Sequence, residues 1–170
     1  MLLPFAFGLS MFCSVKRKML FFQPITICHF LVPWRPDGQK ACSCYTFENG
    51  FTGRKNWQQA KDGCSFDNKH LLVIETLQEW EFINKSITEQ KTFPYDEWHI
   101  GLFKNVTTGE WTWVNGKPLT LDKWWPQDPG KDDRYALMAN EYPPGSYGLF
   151  GGINDNTYRG WICEEETGTS

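Results

Sequence analysis

Residues 56–87 read NWQQAKDGCSFDNKHLLVIETLQEWEFINKSI and hold two helix starts on either side of one short apolar run. Asn56 is placed as an N-cap with Gln59 three residues on, and Trp57, Ala60 and Cys64 then fall at i, i+3 and i+7 on a single helical face. A short helix ending near Gly63 is predicted. His70 to Ile74 is apolar over strand length, and Thr76 with Glu79 forms a second capping box ahead of Leu77, Trp80, Ile83 and Ile87. After Thr92 the texture changes to short apolar segments at Trp98–Phe103, Glu110–Val114, Ala136–Met138 and Trp161–Cys163. Thr-Gly, Asn-Gly, Asp-Pro-Gly and Pro-Pro-Gly punctuate them, the pattern of strands joined by turns. The order is α+β with the helices first.

Working outward, the 170 residues suffice for one ordinary core, and 28 aromatics (13 Phe, 9 Trp and 6 Tyr) with 15 Gly and 10 Pro describe a compact, loop-rich chain. From Cys42 onward there are 12 Lys and Arg against 19 Asp and Glu, a balance of −7, which disfavours a nucleic-acid partner. No Gly-x-Ser-x-Gly, His-Glu-x-x-His or phosphate loop is present, so the chain is read as a binding protein and not an enzyme. His70 and His99 lie beside strand-like segments with no recognisable catalytic partner and are read as structural.

Residues 1–41 are read as a leader. Residues 1–15 are apolar, Lys16-Arg17-Lys18 are basic, and residues 19–32 are apolar again but broken by Gln23, Pro24 and His29. Neither run reaches the roughly 18–20 apolar residues of a spanning helix. The working start is Met19, with residues 19–32 as the hydrophobic region of a secretory signal, or residues 2–15 take that role; a short membrane anchor and an extension with no role are the alternative readings. The domain is placed at 42–166 and a short tail at 167–170. Six cysteines at 13, 28, 42, 44, 64 and 163, with no C-x-x-C pair, favour disulfides over zinc in a secreted chain. The partners of Cys28, Cys42 and Cys44 stay open. Asn84-Lys85-Ser86 and Asn105-Val106-Thr107 are N-glycosylation sequons consistent with secretion.

Lys117 to Gly160 carries few strand signals over a length that compact domains reserve for functional loops. It holds Trp124-Trp125-Pro126, Asp128-Pro129-Gly130, Asp132-Asp133 and Asn154-Asp155, an inventory of oxygen-bearing side chains suited to a hard cation such as Ca²⁺.

Taken in order, Cys44-Tyr45-x-Phe47, Asn56-Trp57-x-x-Ala60-x-x-x-Cys64, Leu71 to Ile74 with Glu79-x-x-Phe82-Ile83, Trp98-His-Ile-Gly-Leu102, Trp111-x-Trp113-x-Asn115-Gly116 and Trp161-Ile-Cys-Glu164 resemble the C-type lectin-like domain. The resemblance covers about Cys44 to Glu165. It implies a double-loop α+β fold of two helices, antiparallel strands and a long loop region, closed by a Cys64–Cys163 disulfide. It also implies that Trp57, Trp80, Trp98, Trp111, Trp113 and Trp161 pack in the core. In calcium-dependent members the sugar site resembles Glu-Pro-Asn or Gln-Pro-Asp, an acidic residue before a cysteine, and Trp-Asn-Asp. The matching positions here are Asp128-Pro129-Gly130, Asp132-Asp133-Arg134 and Ile153-Asn154-Asp155. The implied Ca²⁺ ligands are Asp128, Asp132, Asn154 and Asp155, the implied ligand-binding set adds Pro129 and Trp125, and a cis peptide before Pro129 is the expected way to aim its flanking groups at one ion. Gly130 brings no side-chain oxygen, and the family's inner disulfide has no cysteines here, near Arg134 or between Asn156 and Arg159.

The expected function is a secreted carbohydrate-binding module with weak Ca²⁺ dependence, taking a saccharide or glycoprotein ligand. The alternative is a calcium-independent domain that binds a protein or lipid partner through Trp124, Trp125, Tyr142, Tyr147 and Phe150.

Overall fold

The computed structural model describes residues 25–30, 41–48, 53–89, 97–126, 128–139, 150–154 and 157–168. Asn56 caps α1 (Trp57–Phe66) through its side chain, which accepts the Gln59 N–H at 2.9 Å while the Gln59 side chain accepts the Asn56 N–H. Trp57, Ala60 and Cys64 form the buried face as the spacing requires. The helix runs one turn beyond Gly63 and ends where the Asp67 N–H bonds the Cys64 carbonyl and Asn68 takes a positive φ of 56°. A glycine inside a helix costs only about 1 kcal/mol, so it did not stop α1.

The strand predicted over His70–Ile74 is shorter than expected. Only His70–Leu71 (β3) pairs in the sheet, and Leu72, Val73 and Ile74 continue as buried irregular chain. Their backbone groups are satisfied elsewhere: the Leu72 N–H bonds the Ile162 carbonyl and the Val73 N–H bonds the Glu164 carboxylate. Helix α2 (Leu77–Glu89) starts on Thr76, whose hydroxyl accepts the Glu79 N–H at 3.2 Å. Glu79 reaches back one residue further than a capping box demands, to the Glu75 N–H, and accepts a 2.7 Å bond from the buried Tyr45 hydroxyl. Burial lifts the Glu79 carboxyl above its usual range. Ile83 and Ile87 are fully buried on this helix; Leu77, expected on the same face, is 45% exposed because it opens the first turn beyond the edge of the core.

The remaining strands are β1 (Ile25–Phe30), β2 (Ala41–Glu48), β4 (Glu97–Lys104), β5 (Trp111–Trp113), β6 (Tyr135–Ala139), β7 (Phe150–Ile153) and β8 (Gly160–Gly168). They form one sheet ordered β1-β2-β8-β4-β6-β7, with β3 on β8 and β5 on β4. All pairings are antiparallel except β4 with β8, which run parallel at Trp98–His99. Strand β4 carries Trp98 to Leu102 buried on both faces, the mark of a central strand. A Cβ on Gly101 would stand 2.8 Å from the Leu71 carbonyl, so only glycine lets β4 approach that chain and donate its N–H to Leu72.

The larger core cluster gathers Tyr45, Phe47, Ile83, Ile87, Ile100, Leu102, Trp113, Met138 and Phe150. The smaller one sits under α1 and contains Trp57, Trp161 and the Cys64–Cys163 disulfide, the pair implied by the resemblance. Trp57, Trp98, Trp113 and Trp161 are buried, while Trp80 and Trp111 are half-buried against the larger cluster. His99 is fully buried and its Nε2 faces the Lys55 and Thr157 carbonyls at 2.9 and 3.1 Å, a structural role as read from sequence.

Strand β1 lies outside the boundaries read from the sequence, and β2 and β8 each cross one, β2 by a single residue at Ala41. Strand β1 falls inside the leader segment 1–41, pairs with β2 along its whole length and is bridged to it by Cys28–Cys44. Strand β8 extends to Gly168, past the 166 boundary. The apolar run that suggested a secretory hydrophobic region equally suits a strand laid on a sheet edge, and composition does not separate the two. No helix among the described residues is long and apolar enough to cross a membrane.

Candidate functional site

The long loop is pinned to β7 at its start. The Phe150 N–H bonds the Lys123 carbonyl and the Trp125 N–H bonds the Phe150 carbonyl, at 2.8 and 2.9 Å. Trp124 packs on Trp111 with ring centroids 4.7 Å apart, and Lys123 lays its ammonium over Trp80. A turn then closes through the Asp128 N–H onto the Trp125 carbonyl, and the Asp128–Pro129 peptide is cis as expected.

Immediately after Pro129 the chain makes a second turn. The Asp133 N–H bonds the Gly130 carbonyl at 3.3 Å, and the Asp133 Oδ2 accepts the Gly130 N–H at 2.6 Å. This carboxylate lies flat against β7: a Cβ on Gly152 would stand 2.1 Å from Asp133 Oδ2. Asp128 accepts the Gly152 N–H, and its Oδ2 stands 3.7 Å from where a Gly151 Cβ would be. Two carboxylates therefore share the Gly151–Gly152 floor. Burial first, and then the Asp133 charge, hold the Asp128 carboxyl above its usual range.

Of the residues singled out from sequence, Asp128, Pro129 and half-buried Trp125 are gathered at this turn. Asp132 is exposed, and Asn154 is exposed at the end of β7, where the Thr157 hydroxyl donates to its Oδ1 at 3.5 Å. Asp155 lies outside the described residues, as do Tyr142 and Tyr147. The sequence reading missed Asp133 as a site residue. Its signal was the spacing Gly130-x-x-Asp133, an acidic side chain three residues after a turn-opening glycine. The aromatic surface of the alternative reading loses Phe150, which is fully buried, and Trp124, which is half-buried against Trp111 and Phe150.

A Ca²⁺ ion takes about six to eight oxygen ligands. Asp128 and Asp133 each already accept a backbone N–H, and among the described residues no three His, Cys, Asp or Glu side chains gather to hold a metal. The described residues by themselves do not fit a calcium shell.

Asn105 and Asn84 differ in setting. Asn105 opens the β4–β5 turn, with its Oδ1 accepting the Thr107 and Thr108 N–H groups and Val106 78% exposed beside it. Asn84 lies within α2 with its Oδ1 buried and unpartnered.

Fold and loop together define a C-type lectin carbohydrate-recognition architecture. Residues 53–165 match the family model for the lectin C-type domain, and the chain belongs to that family. It is 38% identical over 134 residues to human asialoglycoprotein receptor 2, a match covering 72% of this chain and 37% of that protein. Among solved structures it is similar to an SPL-1–GlcNAc complex, with a TM-score of 0.62 at 25% identity over 72% of this chain and 87% of that one. It is equally similar to the Ca²⁺-independent C-type lectin SPL-2 from Saxidomus purpuratus, with a TM-score of 0.62 at 25% identity over 72% and 86% of the two chains. The chain spans about a third to two fifths of the length of the curated relatives it matches first.

Proposed function

We propose that this domain binds carbohydrate through the long-loop residues Trp125, Asp128, Pro129, Asp132, Asn154 and Asp155, with weak dependence on Ca²⁺. The observation that carries this is the Asp128–Asp133 pair held over Gly151–Gly152, a fixed row of hydrogen-bond acceptors beside half-buried Trp125. Carboxylate acceptors accept sugar hydroxyls directly, and an aromatic face packs against the apolar side of a pyranose ring. The structural relative solved with GlcNAc and the one described as Ca²⁺-independent support this reading.

The protein is further proposed to be secreted, in keeping with the Cys28–Cys44 and Cys64–Cys163 disulfides, and to carry a glycan at Asn105, which opens a turn whose next residue, Val106, is exposed. A leader removed from such a protein would end before Ile25, since β1 belongs to the sheet.

The test is binding of the full chain to immobilised GlcNAc-, mannose- and galactose-terminated glycans, with Ca²⁺ and with EDTA, alongside Asp128→Ala. Retained binding in EDTA, weakened by less than about tenfold and abolished in Asp128→Ala, is expected. Binding to none of the glycans overturns the proposal, and complete loss in EDTA overturns its calcium clause.

A further inference from the structure

Strand β1 lies at one end of the sheet and β7 at the other, and β1 pairs with β2 alone. Alternation along β1 puts Ile27 and His29 on its inner face, opposite Tyr45 and the fully buried Ser43 of β2. Ile27 packs at the edge of the larger core. His29 lays its ring on Phe82 of α2, with centroids 4.3 Å apart and an angle of 26° between planes, and Phe82 in turn meets Tyr45.

This setting suits an uncharged imidazole. The His29 Nδ1 is buried with no hydrogen-bond partner. From β2 the ring faces the neutral hydroxyl residues Ser43 and Tyr45, and from α2 it faces Phe82. The Glu79 carboxylate of α2 is taken up by the Tyr45 hydroxyl and the Glu75 N–H, while Glu81 and Lys85, on either side of Phe82, are exposed. Glu164 and Glu166 stand opposite Tyr45 and Ser43 on β8, one strand beyond β2. Burial holds the His29 imidazole below its usual range, with no neighbouring charge contributing. Protonation would add a buried N–H without an acceptor and a charge without a counter-ion. The Phe82 face attracts a cation but cannot replace a hydrogen-bond acceptor. Strand β1 can relieve that cost by lifting its inner face off α2, since it is an edge strand whose neighbours do not depend on it for their own pairing.

We propose that β1 is an acid-released flap: protonation of His29 detaches the strand from Phe82 and the edge of the core, while Cys28–Cys44 tethers it to β2 and the rest of the domain stays folded. A histidine held below its usual value in the closed state binds fewer protons there than in the released state. The flap is therefore fully held above about pH 6.5 and loosens as pH falls below it. The device places an acid response at the opposite end of the sheet from the long loop.

The experiment compares amide hydrogen-exchange protection factors of the full chain, with Cys28–Cys44 intact, at pH 7 and pH 5 in wild type, His29→Phe and His29→Gln. Wild-type protection across Ile25–Phe30 should fall by about fivefold or more at the lower pH while β4 and β8 keep theirs. His29→Phe retains a ring against Phe82 and does not titrate, so its β1 protection should be equal at the two pH values. His29→Gln neither stacks nor titrates. It should be less protected than wild type at pH 7 and equally flat, which keeps the test open if the Phe variant packs badly. Wild-type β1 protection that does not change with pH, a fall as large in either variant, or a fall shared by β4 and β8 overturns the proposal.

Discussion

His99 shows how one residue serves two segments far apart in sequence. Its Nε2 sits between the Lys55 and Thr157 carbonyls, joining the chain before α1 to the end of the long loop, where Lys55 and Arg159 also form a bridge. Burial, reinforced by the nearby Arg159 charge and opposed by the two carbonyls, pushes the imidazole down to about 4. A histidine depressed in the folded state binds fewer protons there than when unfolded. Its contribution is therefore complete above the unfolded value near 6.5 and is lost as pH falls from about 6.5 to about 4. The difference amounts to about 3 kcal/mol by linkage. His99→Gln, which keeps an N–H donor but does not titrate, should be flatter than the wild type across that window in denaturant unfolding. Parallel pH profiles for the two proteins would show that His99 is not the titrating group. At the same scale the site was half legible: Asp128 and Pro129 stood out as an Asp-Pro turn, whereas Asp133 acquires meaning only when Gly152 of a distant strand comes to lie beneath it.

Among the elements, the helices were the most legible, because a cap and a 3.6-residue apolar repeat are local signals. Strand β7 was not, since Phe150-Gly-Gly-Ile153 has little strand propensity of its own and forms by pairing with β6. Strand β1 makes its sheet contacts with β2 alone, with Ile27 packed at the edge of the core and Cys28 directly opposite Cys44. Its bridge spans a sequence separation of only 16 residues, so losing it should free the hairpin without unfolding the domain. In Cys28→Ser/Cys44→Ser, amide hydrogen-exchange protection should fall across Ile25–Phe30 and persist in β4 and β8. A thermal midpoint that drops as far as on removing the other disulfide would give β1 a larger role than an edge strand.

At the scale of the whole molecule, β2 and β8 pair side by side and Cys64–Cys163 joins α1 to β8 across a sequence separation of 99 residues. Constraining so long a segment in the unfolded chain stabilises the fold by roughly 4–5 kcal/mol in the chain-entropy account. Cys64→Ser/Cys163→Ser should therefore lower stability by about that amount in denaturant titration, with one cooperative transition retained. A loss below about 1 kcal/mol would mean that the unfolded chain is already compact around this pair.

The sequence by itself determined the helix positions, the aromatic core, the Asp-Pro turn and, through its ordered motifs, the family, because each of these is written in short-range spacing. Only the tertiary structure decided that β1 belongs to the sheet, that Phe150 is core and not surface, and that Asp133 shares the Gly151–Gly152 floor with Asp128. Those outcomes depend on contacts between segments separated by many residues, where burial and backbone pairing are settled by which chains meet and not by what either would do alone.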